Sequence, residues 1–114
     1  MKKTTIGKEV VYKVKPNNPS EMTDYIILRL TPSGRIHRIT VYSREMKSTQ
    51  CEIAKSELRR NVEKKHPNLG YYAMDEAEMF YEDPRTYTIE CSVSGTKTRL
   101  KREYSDEEPG KNKS

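Results

Sequence analysis

The side chains that most often carry catalysis are few and scattered in this chain. There are two histidines, His37 and His66. Neither stands at a motif spacing from a Ser or Cys nucleophile, so no nucleophile–base pair is legible. His37 falls at a strand position near a turn and reads as a strand-edge side chain. His66 ends a helical run beside Pro67, where a cation complements the helix dipole. No Gly-rich phosphate loop, HExxH, CxxC or GxSxG pattern occurs. The acids Asp75, Glu76, Glu78, Glu82 and Asp83 could offer oxygen ligands to a hard cation, but they lack EF-hand spacing and read as a solvated acidic face. The expectation is a non-enzymatic protein with no cofactor and no metal. Cys51 and Cys91 do not form a metal-type spacing. One falls on a helix and the other on a strand, and they read as two buried free thiols, with a disulfide as the alternative.

Binding chemistry is better represented. Tyr25, Arg29, Arg38, Tyr42 and Arg44 alternate along two adjacent strand-like segments, and Arg59 and Arg60 follow on a basic helix. Arginine and lysine neutralise phosphate, and tyrosine rings stack on bases, so this set fits an anionic ligand, above all RNA or single-stranded DNA. A second set, Tyr71, Tyr72, Met74, Met79, Phe80 and Tyr81, lies among the acids. Aromatics and Met beside carboxylates suit a basic protein partner or a second copy of the chain. The alternative function is therefore a protein-interaction module, homodimeric in one version.

The elements that must position these residues follow from pattern. Val10, Tyr12 and Val14 alternate with Val11, Lys13 and Lys15, which marks an N-terminal strand over 8–15. Residues 24–31 and 35–44 flank Pro32-Ser33-Gly34, a hairpin signal. A two-residue Ser33-Gly34 loop would pair Thr31 with Ile36 and Leu28 with Ile39. Ile26, Leu28, Leu30, Ile39 and Val41 then share one face, with Tyr25, Arg29, Arg38 and Tyr42 on the other. Arg29 lies opposite Arg38, an arrangement that costs up to about 1 kcal/mol unless an anion intervenes. Residues 48–65 read as a helix capped by Ser48 or Thr49, with Glu52 completing a capping box. Its apolar stripe is Cys51, Ala54, Leu58 and Val62, with Lys55 off the stripe. Asp75 could cap a short helix holding Ala77, Glu78, Phe80 and Tyr81. Residues 85–93 and 96–104 around Ser94-Gly95 form the second hairpin, with Glu90 opposite Arg99.

The expected fold is α+β: an antiparallel sheet of about five strands, two β-hairpins plus the N-terminal strand, packed on one main helix. The expected core is Val10, Tyr12, Val14, Ile26, Leu28, Leu30, Ile39, Val41, Ala54, Leu58, Val62, Ile89, Cys91, Val93 and Leu100. One domain over 1–104 and a disordered polar tail over 105–114 complete the organisation. The strand–strand–strand–helix–strand–strand order is not that of a double-stranded-RNA domain, and the RNP1 pattern of RNA-recognition motifs is absent.

Composition sets bounds on all of this. Apolar residues make up 32% and charged residues 34% of 114, so few apolar side chains can be spared beyond one modest core. Eight Tyr against one Phe and no Trp carry the aromatic area. The net charge of +5 is unevenly spread. Residues 1–66 hold 15 Lys/Arg against 7 Asp/Glu, residues 67–84 hold five acids and no base, and residues 85–114 hold 7 against 5. A basic body with one acidic segment favours an anionic partner on one side and a basic one on the other. No apolar run follows the basic start and none spans a bilayer, so the expected location is cytoplasmic, with no membrane partner.

Overall fold

Two Ser-Gly turns organise the chain as expected, and the strands they join belong to a wider sheet than the sequence indicates. In the computed structural model, which describes residues 2–6, 9–18, 22–73, 77–82 and 84–106, eight strands and one helix follow one another. They are β1 (Lys2–Ile6), β2 (Glu9–Val14), β3 (Tyr25–Leu30), β4 (Ile36–Met46), α1 (Ser48–Lys65), β5 (Gly70–Ala73), β6 (Ala77–Glu82), β7 (Arg85–Ser94) and β8 (Lys97–Asp106). They form a single antiparallel sheet in the order β1-β2-β3-β4-β8-β7-β6-β5. The α+β class and the single main helix hold. The five-strand expectation is corrected to eight, because β1, β5 and β6 also join the sheet.

The added strands have local causes. Residues 71–83 were open to a short helix, since Ala77, Phe80 and Tyr81 fit helical spacing. They equally fit a period of two, and the β7 edge offers unpaired backbone groups that a strand satisfies. Thus β6 pairs with β7 and β5 with β6. Asp75, the expected cap, lies outside the described residues with Met74, Glu76 and Asp83. A Cβ on Gly70 would fall on the Tyr81 ring, which lies across from it in the β5–β6 pair. The expected tail at 105–114 overlaps β8 at Ser105 and Asp106, and 107–114 lie outside the described residues.

Turn chemistry fixes both hairpin registers. In β3–β4, Leu28 faces Ile39 and Arg29 faces Arg38, as expected. The loop holds three residues, not two. The Gly34 N–H donates to the Thr31 carbonyl at 2.9 Å, the Thr31 N–H donates to the Arg35 carbonyl at 2.8 Å, and Gly34 takes φ +91°. A type I turn followed by a left-handed glycine is the common three-residue hairpin loop. It pairs Leu30 with Ile36 in place of Thr31 with Ile36 and leaves His37 as a bulge residue. In β7–β8 the loop is Gly95-Thr96, with Gly95 at φ +64°. This moves the register by two residues. Glu90 faces Lys101 and Ser92 faces Arg99, which corrects the expected Glu90–Arg99 pair. A shift of two keeps every side chain on its expected face.

Helix α1 leaves β4 at the sheet centre and must reach β5 at one edge. Four strand spacings are about 19 Å, and 18 residues of helix span about 27 Å. The helix therefore crosses β8 and β7 and packs on them. Cys51, Phe80, Ile89, Cys91 and Leu100 form the buried core, with Met46, Ala54, Leu58, Val62, Leu69 and Tyr87 against it. Phe80, absent from the expected core, joins it. Val93, an expected core residue, is 61% exposed near the hairpin tip. Val10, Tyr12, Val14, Ile26, Leu28, Leu30 and Ile39 are half-buried and lie outside the core cluster, because the helix does not reach their half of the sheet.

Three further points differ from expectation. Lys47, not Ser48 or Thr49, precedes the first helical turn, and its N–H donates to Gln50 Oε1 at 3.3 Å. Lys55 falls on the buried stripe at 9% exposure, with its ammonium 3.1 Å from Glu52. Cys51 and Cys91 are joined in a disulfide between α1 and β7. Docking of the helix start on β7 brings their Cα atoms to 6.0 Å, within bridging range. Among the described residues no helix is long and apolar enough to cross a membrane.

Candidate nucleic-acid interface

The face turned away from α1 carries the Tyr/Arg set of the first hairpin. Successive cross-strand rows define it. One row runs Tyr25–Tyr42–Lys101–Glu90, the next Lys13–Ile27–Thr40–Glu103, and the third Val11–Arg29–Arg38–Ser105. Tyr25 and Tyr42 stack with centroids 4.8 Å apart and planes 20° from parallel. The Lys13 ammonium lies 4.6 Å and the Arg99 guanidinium 5.3 Å from the Tyr25 ring centre. Such cation–ring contacts contribute about 0.5–1 kcal/mol when exposed. Burial pushes the Tyr25 hydroxyl above its ordinary pKa.

A second bulge anchors this end of the site. Between Tyr42↔Lys101 and Glu45↔Arg99, β4 advances three residues while β8 advances two. The fully buried Ser43 fills the resulting gap in the ladder. Its Oγ accepts from the Leu100 N–H at 2.8 Å and donates to the Arg44 carbonyl at 2.8 Å. The Ser43 carbonyl in turn accepts from Arg99 Nη1 at 2.9 Å, and the same nitrogen donates to Asp24 Oδ2 at 2.9 Å. Hydrogen bonding from Arg99 holds the Asp24 carboxyl below its usual range. Arg99 is thus fixed beside the tyrosine stack.

Arg29 and Arg38 sit opposite one another, half-buried, about 13 Å along the strands from the tyrosine row. The neighbouring row brings an acid to this face. Glu103 on β8 accepts from the Thr40 hydroxyl at 2.9 Å. Reading the first hairpin alone leaves this face without an acid; the β4–β8 pairing supplies one.

The other expected phosphate contacts lie elsewhere. Arg44 is exposed and borders a cleft with Met46 and Gln50 at the helix start. Arg59 and Arg60 are on α1, across the sheet from Tyr25 and Tyr42. Arg59 lies 3.5 Å from Glu78 and 3.9 Å from Glu63. Lys13, Lys101 and Arg99 take their place on the sheet face. The alternation of the N-terminal strand marks Lys13 as outward, but its pairing with β3, which brings Lys13 to this face, was not legible.

The acidic aromatic set is also divided. Tyr71 donates to Glu78 at 2.7 Å and packs on Phe80, with centroids 5.2 Å apart, on the helix side. Phe80 is buried in the core. Tyr72, Met79 and Tyr81 face the other way, with Tyr72 and Tyr81 exposed; Met74 lies outside the described residues. The described part of this segment forms the sheet edge farthest from β1 and does not cover the Tyr25/Arg29 face. Among the described residues no group of three or more His, Cys, Asp or Glu could hold a metal ion.

A groove of about 480 Å³ opens where α1 ends, lined by Ile36, Ile39, Leu69, Phe80, Tyr87 and Tyr104 and bordered by His37 and His66. Tyr87 and Tyr104 stack in it at 4.5 Å, and burial pushes the Tyr87 hydroxyl up. Comparison with family models, curated proteins and solved structures finds no match, so geometry carries the functional reading.

Proposed function

We propose that the protein is a non-enzymatic binding module whose ligand is single-stranded nucleic acid, RNA or DNA, held on the sheet face turned away from α1. One observation carries this reading: the stacked Tyr25–Tyr42 pair shares a face with Arg29, Arg38, Lys13 and Lys101. Half-buried tyrosine rings can stack on bases of any identity, and flanking cations contact phosphate, so little sequence preference is expected. The expected cytoplasmic setting is compatible with such a ligand.

Fluorescence anisotropy with labelled single-stranded and duplex oligonucleotides tests it. Four phosphate contacts on a single strand predict a salt slope near −2.8, or about a 50-fold loss of affinity between 50 and 200 mM salt. Arg38→Ala and Tyr42→Ala weaken binding, whereas Arg60→Ala, on the opposite layer, changes it little. Absence of binding at low salt refutes the reading. The exposed Tyr72 and Tyr81 support a second reading, a basic protein partner at the acidic edge. In that case Tyr72→Ala, and not Arg38→Ala, abolishes capture of the partner.

A further inference from the structure

The sheet face turned away from α1 does not end at the first hairpin. The row that holds Arg29 and Arg38 crosses the β4–β8 seam as Arg38–Ser105–Thr86–Tyr81 and closes on Gly70 at the β5 edge. The adjacent row runs Thr40–Glu103–Thr88–Met79–Tyr72. Tyr81 and Tyr72, at 41% and 57% exposure, show more of their rings than the half-buried Tyr25 and Tyr42, which already stack on each other. We infer that the bound single strand runs on from Arg38 over Ser105 and Thr86, and that one of its bases stacks on Tyr81. This extension rests on the nucleic-acid reading proposed above.

Three observations support this path. First, the Tyr81 ring has a seat. Gly70 lies across from it, and a Cβ there would fall on the ring. The ring therefore rests on bare backbone, the aromatic cover of an edge glycine, and its remaining surface is open to a base. Second, the residues between Arg38 and Tyr81 suit a sugar–phosphate chain. Ser105 and Thr86 are small and half-buried, and their hydroxyls are of the kind that bonds phosphate and sugar. Among the described residues no Asp or Glu stands in this row. Glu103 and Glu90 belong to the other two rows, and Glu78 and Glu82 alternate with Tyr81 to the helix side with Phe80. Third, the spacing is continuous. Arg38 and Tyr81 stand three strands apart, about 14 Å, and the tyrosine pair lies about 13 Å from Arg38. At about 3.4 Å per nucleotide, the closest spacing of a stacked strand, the whole track takes at most about eight nucleotides.

Anisotropy titrations of the full chain with a labelled oligothymidylate of about twelve residues, repeated across salt concentrations, test the proposal. Tyr81→Leu is expected to weaken binding about 5- to 100-fold, the loss of one stacked base, with the salt slope unchanged because no phosphate contact is removed. Tyr81→Phe keeps the ring and is expected to stay within about 2-fold of wild type. Thr86→Glu places a carboxylate in the path and is expected to cost about 3- to 10-fold at low salt, a loss that fades as salt rises. Thr96→Glu, at the exposed β7–β8 turn, adds the same charge off the track and is expected to stay within about 2-fold. Circular dichroism checks that each variant is folded, and if Tyr81→Leu does not fold, the Thr86→Glu and Thr96→Glu pair decides. Binding that depends on Arg38 and Tyr42 but not on Tyr81 or Thr86 overturns this extension and leaves the wider reading standing. Equal losses in Tyr81→Leu and Tyr81→Phe, or in Thr86→Glu and Thr96→Glu, also overturn it. Absence of wild-type binding at low salt overturns both.

Discussion

Replacing Ser43 by Ala removes one oxygen and tests whether the β4 bulge is held by a side chain. Ser43 is fully buried, and its Oγ takes the Leu100 N–H that the shifted ladder leaves without a backbone acceptor. In Ser43→Ala that N–H is buried and unsatisfied, which costs about 1–3 kcal/mol. The Arg44 carbonyl also loses its donor. The expected loss is about 2–3 kcal/mol, a large share of the roughly 5–15 kcal/mol that stabilises a domain. The midpoint of thermal unfolding should fall by about 10 °C. Urea titration followed by circular dichroism measures the free energy. Ser33→Ala, at an exposed turn position, should stay within about 0.5 kcal/mol. A loss in Ser43→Ala as small as that of Ser33→Ala would show that the bulge does not depend on the hydroxyl.

Three other outcomes are expected. Reducing the Cys51–Cys91 bond, which closes a loop over a separation of 40 residues, should cost about 4 kcal/mol by the chain-entropy relation, measured as the change in urea midpoint with and without reductant. Ile89→Ala, at a fully buried core position, should cost about 2–5 kcal/mol, whereas Val93→Ala at 61% exposure should be nearly neutral; equal losses would contradict the core assignment. Because Arg99 lowers the Asp24 pKa on folding, the stabilisation from that pair is complete above the unfolded carboxylate pKa of about 4 and is lost as pH falls through the lower folded value. Asp24→Asn should therefore flatten stability against pH in the acid range, and an unchanged acid limb would remove Asp24 from the account.

What was legible in the sequence is what depends on neighbours in the chain. Gly34 and Gly95 marked both turns, and alternation put Tyr25, Arg29, Arg38 and Tyr42 on one face. The registers near the turns moved because loop length depends on which residue takes positive φ, and the dipeptide does not settle that. Pairing across long separations was not legible. The Glu103–Thr40 contact, the Ser43 bulge and the Arg99–Asp24 pair all depend on β4 meeting β8. The Cys51–Cys91 bond depends on where α1 docks. Phe80 and Tyr81 fit periods of both two and 3.6, and the β7 edge decided between them.

The strand order also bears on how the chain reaches this state. Four strands, β1–β4, form one meander and β5–β8 another, joined at the β4–β8 seam. Within each meander, neighbouring strands are also sequence neighbours. At the seam Arg38 meets Ser105, a separation of 67 residues (105 − 38), and Met46 meets Thr98, a separation of 52 (98 − 46). Closing a loop of that larger size costs about 1.7 kcal/mol more than closing a ten-residue hairpin, so the seam is the pairing that entropy delays. Until it closes, β4 and β8 are raw edges in addition to β1 and β5. Each can template on the complementary meander of another molecule as readily as on its own. The α1 linker is the segment across which such an exchange of halves would occur, and crowding of nascent chains would favour it.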